Sequence, residues 1–225
     1  MTRTTNARIA GFTYLFYIAV AFPSAVLFDR ATSGEGIAAK LAGIAQHATD
    51  VRVTVVLSLL SCFAALVLAV TLYAITRDED PDLAMLGLTC RVAEGVTGAI
   101  SIPATLGLLW LATAIGADAP DHAAAQALAA FLLKDSPIIA ATFFAVGSTL
   151  FSYLLLRGRM VPVSLAWLGV LASVLLVALL PVQLVGFVTG PVLDFMWLPM
   201  LAFEVVLALW LIIKGVAIPR ESPSV

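Results

Sequence analysis

Charge is scarce in this chain of 225 residues: Asp, Glu, Lys and Arg make up 12% of it, against 62% hydrophobic residues. A soluble globular domain carries roughly a quarter charged residues, so that class is excluded at once. A basic stripe is missing too. The twelve Lys and Arg residues fall mainly in the connections and the formal net charge is -2, which argues against nucleic acid as a partner. Cysteine and histidine are nearly absent, with two of each. Cys62 and Cys90 lie inside apolar segments without CxxC, haem-attachment or zinc spacing and read as buried thiols. No metal or cofactor is expected, an outer site built from His47, Asp50, Asp121 and His122 being the weaker reading. No nucleophile with a neighbouring base stands out.

What the chain has is long apolar runs, and its mean hydropathy of +1.07 places it among polytopic membrane proteins. An all-α fold of one domain over 1–225 is expected, a bundle of six transmembrane helices at about 9–28, 53–76, 84–115, 137–156, 163–188 and 192–213. Each approaches or exceeds the roughly 20 residues that cross a hydrocarbon core. The first follows Arg3 and Arg8 and continues through Val26, Leu27 and Phe28, like a retained signal anchor rather than a cleaved signal peptide. Two connections contain short amphipathic helices. Ile37, Leu41 and Ile44 repeat at helical spacing in the first, and Leu128, Phe131 and Leu132 form an apolar edge in the second, with Asp118 as its expected cap and Pro120 in its first turn. The acidic run Asp78, Glu79, Asp80 reads as a solvated turn.

Lys and Arg placement sets the orientation. Arg3, Arg8, Arg77, Arg157, Arg159, Lys214 and Arg220 cluster on one side in short connections and at the termini, whereas Arg30, Lys40, Arg52 and Lys134 are spread over two longer loops. Both termini are therefore expected in the cytoplasm, with the amphipathic helices in the outer loops. Trp167 and Trp210 then fall at the inner interface, and Trp110 and Trp197 at the outer one. A faint echo links Tyr73, Arg77 and LAMLG at 83–87 to Tyr153, Arg157 and LAWLG at 165–169. The aromatic belt and positive-inside rule produce the same residue types, so the echo carries no argument alone.

The run 83–115 is organised around two charges within it, Arg91 and Glu94. Each ionisable group near the bilayer centre costs about 2.5 to 3.5 kcal/mol on insertion scales and calls for a partner or a polar pathway. Gly87, Gly95, Gly98 and Ser101 would let neighbouring helices close over them. As one helix the segment would be about 50 Å long, and Pro103 is the natural site for a kink. The excess length leaves two readings for Arg91, one buried and one snorkelling to the headgroups. Glu204 lies mid-way along the last span, so a cluster of Arg91, Glu94 and Glu204 is expected between the third and sixth spans. Arg91 and Glu94, three apart, can pair locally, leaving Glu204 to share the guanidinium or to stay protonated. Tyr14 and Tyr17 share a face of the first span and read as packing residues with a hydroxyl partner.

RIAGFTYLFY at 8–17, LTCRVAEG around Arg91, SLAWLGVL at 164–171 and EVVLALWLIIKG at 204–215 together resemble the bacterial family of six-helix membrane proteins catalogued as domain of unknown function 4386. The resemblance covers essentially the whole chain, most specifically at Glu204, Leu209, Trp210, Lys214 and Gly215. It implies the fold and a bacterial inner membrane, and no activity. Three function classes follow from the residues. The first is binding or carriage of a small or lipid-like molecule at the Arg91, Glu94 and Glu204 cluster, with membrane lipids and a small apolar or cationic ligand as the implied partners. The second is an intramembrane enzyme, an acid-catalysed isomerase or cyclase of an apolar substrate. The third is a structural or assembly subunit in which the cluster is an ionic lock. Oligomeric state is left open.

Overall fold

The structure, a computed structural model, describes residues 1–115, 119–134, 137–187, 190 and 192–217. Among these residues there are nine helices and no strand: α1 (Arg3–Thr32), α2 (Gly36–Gln46), α3 (Ala48–Thr76), α4 (Pro81–Thr113), α5 (His122–Leu132), α6 (Ile138–Arg157), α7 (Val163–Leu184), α8 (Val192–Phe195) and α9 (Leu198–Ile213). Five of them, α1, α3, α4, α6 and α7, are long and apolar enough to cross a membrane. Within these spans large apolar side chains point outward, among them Phe12, Phe22, Ile100 and Leu171, while Ser148, Ser152, Ser173, Arg91 and Glu94 are buried, as is Glu204 on α9. That arrangement suits a hydrocarbon solvent, in which polar groups must be satisfied inside the protein. The protein is a multi-pass helical membrane protein.

Two segments end differently from the sequence expectation. The 163–188 run stops being helical at Leu184 because Gly186 takes φ +80°, and the amides of Gly186 and Phe187 donate back to the carbonyls of Gln183 and Val182 at 2.9 and 3.1 Å. This is a glycine-terminated C-cap in which the left-handed residue closes the last turn. The 192–213 run is two helices rather than one. Pro199 has no N–H to offer the carbonyl of Phe195, so a new helix starts at Leu198 with the proline in its first turn. The 16 residues of α9 reach about 24 Å, short of a core about 30 Å thick.

The chain divides into two compact units. The first comprises Met1–Phe16, Ala64–Gly95 and Ile138–Val225, the second Tyr17–Phe63 and Val96–Pro137. In the first unit α6 and α7 form an antiparallel hairpin and α7 packs on α9. Close approach depends on small residues: a Cβ on Gly169 of α7 would fall 2.5 Å from the Phe203 ring of α9 and 2.6 Å from Ser152 Oγ of α6. A Cβ on Gly11 of α1 would fall 2.6 Å from the Ala208 carbonyl of α9. Helices in lipid associate through such packing because burial of apolar surface gives them no net drive. The acidic turn between α3 and α4 is not merely solvated. Arg157, at the end of α6, places Nε 3.1 Å from Glu79 Oε1 and Nη1 3.0 Å from Asp80 Oδ2, tying the α3–α4 turn to the α6–α7 turn. Arg3 Nη2 donates to the Ile75 carbonyl at 2.6 Å and so caps the last turn of α3.

In the second unit the two amphipathic helices form where the apolar spacing places them. They pack on each other and on the ends of α1, α3 and α4, burying Ile44 and Ala129 with Ala31, Val51, Leu108, Leu109 and Leu111. Asp118, the expected cap, lies outside the described residues. Asp121 caps α5 instead, accepting from the Ala124 amide at 2.7 Å, which leaves Pro120 ahead of the helix rather than in its first turn. Ser24 and Thr54 exchange hydroxyl-to-carbonyl hydrogen bonds of 3.4 Å between α1 and α3, and Ser24 Oγ lies 3.1 Å from Ser58 Oγ.

Candidate functional site

The three charges singled out from the sequence fall in the first unit, on α4 and α9. Arg91 is fully buried at 0% exposure, and Glu94 and Glu204 are each 5% exposed. The snorkelling alternative for Arg91 is thereby excluded, and the local packing shows why. On α6, Phe144, Gly147, Ser148 and Phe151 share one buried face at helical spacing. Gly147 is the gap in that face. A Cβ there would lie 3.0 and 3.1 Å from Arg91 Cγ and Cδ and 3.3 Å from Cys90 Cβ, so the missing side chain is the space through which the arginine stem passes. Beyond it the guanidinium carbon sits 4.9 Å from the Phe144 ring centroid. Nη1 meets Glu94 Oε2 at 2.8 Å, one turn along the same helix. An ion pair and a cation–π contact, both desolvated, offset the cost of removing the guanidinium from water.

Glu204 comes from the opposite side on α9, whose buried face carries Met200, Phe203, Leu207 and Leu211 beside it. It lies in the electrostatic field of both Arg91 and Glu94. Its Oε1 is buried with no hydrogen-bond partner among the described residues. A buried acceptor in that position ordinarily costs about 1–3 kcal/mol, more when charged. Tyr14 completes the group. Ala7, Ala10 and Tyr14 are the buried stripe of α1, set against α9 by Gly11, and the Tyr14 ring, 2% exposed, lies in the field of Arg91, Glu204 and Glu94. The Phe144 ring packs in turn against Trp197, their centroids 6.2 Å apart.

The sequence singled out the three charges but neither Phe144 nor Gly147, and it read Tyr14 as a packing residue with a hydroxyl partner rather than as a neighbour of the charges. Gly147 leaves a readable trace, a glycine in the middle of an apolar span. Phe144 leaves none, being one aromatic residue among many in apolar runs. Of the small residues expected to admit neighbours, Gly87 receives the Phe151 ring in the first unit and Gly98 faces Cys62 Sγ in the second. His47 Nδ1 lies 3.3 Å from Asp50 Oδ2, and among the described residues no group of three or more His, Cys, Asp or Glu side chains is arranged to hold a metal ion. A separate cleft of about 460 Å³ opens in the second unit between α2, α5 and the end of α4, lined mainly by alanine and leucine with His122 and Gln126.

Residues 9–215 match the family described as Domain of unknown function (DUF4386). The chain belongs to this family. No curated protein and no solved structure matches it. The match runs from α1 through the end of α9 and so includes every residue of the buried cluster in this family member.

Proposed function

We propose that this protein binds or carries a small or lipid-like molecule within the membrane, at the Arg91, Glu94 and Glu204 cluster. The observation that carries this reading is the inequality between the two carboxylates. Glu94 is matched by Arg91 at 2.8 Å, whereas Glu204, equally buried, keeps Oε1 without a donor among the described residues. A group that donates a hydrogen bond or carries a positive charge would satisfy it. Anionic groups are disfavoured, because the one cation of the cluster is already engaged with Glu94 and Phe144.

Mass spectrometry of the purified protein in lipid nanodiscs tests the reading. A bound small molecule or distinct lipid is expected with the parent protein and should be lost in Glu204→Gln, provided circular dichroism shows the helices intact. Identical bound species in parent and variant would refute it. A structural ionic lock is the second reading, favoured by the fit of Arg91 against Gly147. It predicts no retained molecule in either protein.

The Lys and Arg distribution further supports a bacterial inner membrane location with both termini in the cytoplasm. Single cysteines at Ser33 and Ser222, in a background lacking Cys62 and Cys90, test it. An impermeant thiol reagent applied to intact cells should label position 33 and spare position 222, and the reverse pattern would overturn the orientation.

A further inference from the structure

The cluster does not balance as three ionised groups. One guanidinium lies in the field of two carboxylates, all of them at most 5% exposed, and an ion pair of 2.8 Å joins Arg91 to Glu94. Among the described residues, the other groups placed beside the cluster supply no second positive charge. From α1 comes the phenol of Tyr14, from α4 the thiol of Cys90, and from α6 the buried hydroxyl of Ser148, beside Gly147. A net negative charge held among apolar side chains in hydrocarbon has neither water nor counter-ion to offset it. Two carboxylates sharing one cation therefore resolve their repulsion by holding a proton on one of them.

We infer that Glu204 is the carboxyl that carries this proton, as a neutral acid with an exchangeable O–H, while Glu94 stays ionised against Arg91. The inference rests on the reading of Glu204 as the receiving group of the site. It defines what that group holds when no ligand is present: a hydrogen-bond donor on one oxygen and an acceptor on the other. A cationic group arriving at the carboxylate would displace the proton to solvent. The O–H bond breaks, the incoming charge replaces it, and the cluster remains neutral.

Infrared spectroscopy of the ligand-depleted protein in nanodiscs at neutral pH reads this state directly. A carboxylic C=O stretch is expected, shifted in D₂O, absent in Glu204→Gln and moved in frequency in Glu204→Asp, while Glu94→Asp leaves it in place. Glu94→Gln should also abolish the band, because Arg91 then loses its partner and Glu204 ionises to replace it. That last result separates a shared charge balance from a merely structural glutamate. Absence of the band in the parent protein, its persistence in Glu204→Gln, or its movement in Glu94→Asp instead would overturn the assignment. The band is read on the ligand-depleted protein, so failure to retain a ligand would refute the binding proposal and leave this one standing.

Discussion

Replacing Arg91 by methionine removes the charge while keeping an unbranched side chain that can still pass Gly147. The structure sets the expected loss. Arg91 is 0% exposed and Glu94 5%, so Glu94 would be left buried without its 2.8 Å partner, and the Phe144 ring would lose its cation at 4.9 Å. Breaking one side of a buried pair costs about 3–5 kcal/mol, equivalent to roughly two to four decades in the folding equilibrium. The figure falls if Glu94 takes up a proton. Glu94→Gln should cost less than Arg91→Met, since Glu204 stands in the same field and can replace Glu94 as counter-ion. Glu204→Gln should cost least, because the amide still accepts a hydrogen bond. The double variant Arg91→Met with Glu94→Gln should recover part of the single losses, with a coupling of about 1–3 kcal/mol. Equilibrium unfolding in mixed micelles, followed by tryptophan fluorescence and circular dichroism, measures all four. Effects that add to within about 0.5 kcal/mol would show that the guanidinium and carboxylate do not interact energetically, and would refute the account of why this arginine is inside.

Gly169→Ala places a Cβ 2.5 Å from the Phe203 ring and 2.6 Å from Ser152 Oγ, so α7 and α9 must separate. A loss of about 1–3 kcal/mol is expected in the same unfolding assay, and an unchanged midpoint would show that the helices are not packed at this distance. Arg157→Ala removes both contacts to the α3–α4 turn, but Arg157 is 45% exposed, so the loss should stay below about 1 kcal/mol and shrink with added salt. A larger, salt-insensitive loss would mean that the turn-to-turn tie is desolvated.

The sequence alone determined the class, most of the helices and the three charges, because each depends on local chemistry. Apolar runs of spanning length have no other stable use, and an arginine or glutamate within one is conspicuous against hydrocarbon residues. The amphipathic helices α2 and α5 were legible from the same periodicity. Helix ends were partly legible: Gly186 and Pro199 stand in the sequence where α7 stops and α9 starts, yet the apolar runs continue past both, and hydropathy does not register a left-handed residue or a missing amide donor. Tertiary structure alone decided where Arg91 goes. Arg91 is buried because Gly147 on α6, 56 positions away, lacks a Cβ, and because Phe144 and Glu94 receive the guanidinium once it has passed. It likewise decided that Tyr14 joins the cluster and that Arg157 reaches the acidic turn 77 and 78 positions earlier. Such pairings depend on which faces of separate helices meet, and that is set by side-chain shape at the contact rather than by the composition of either helix.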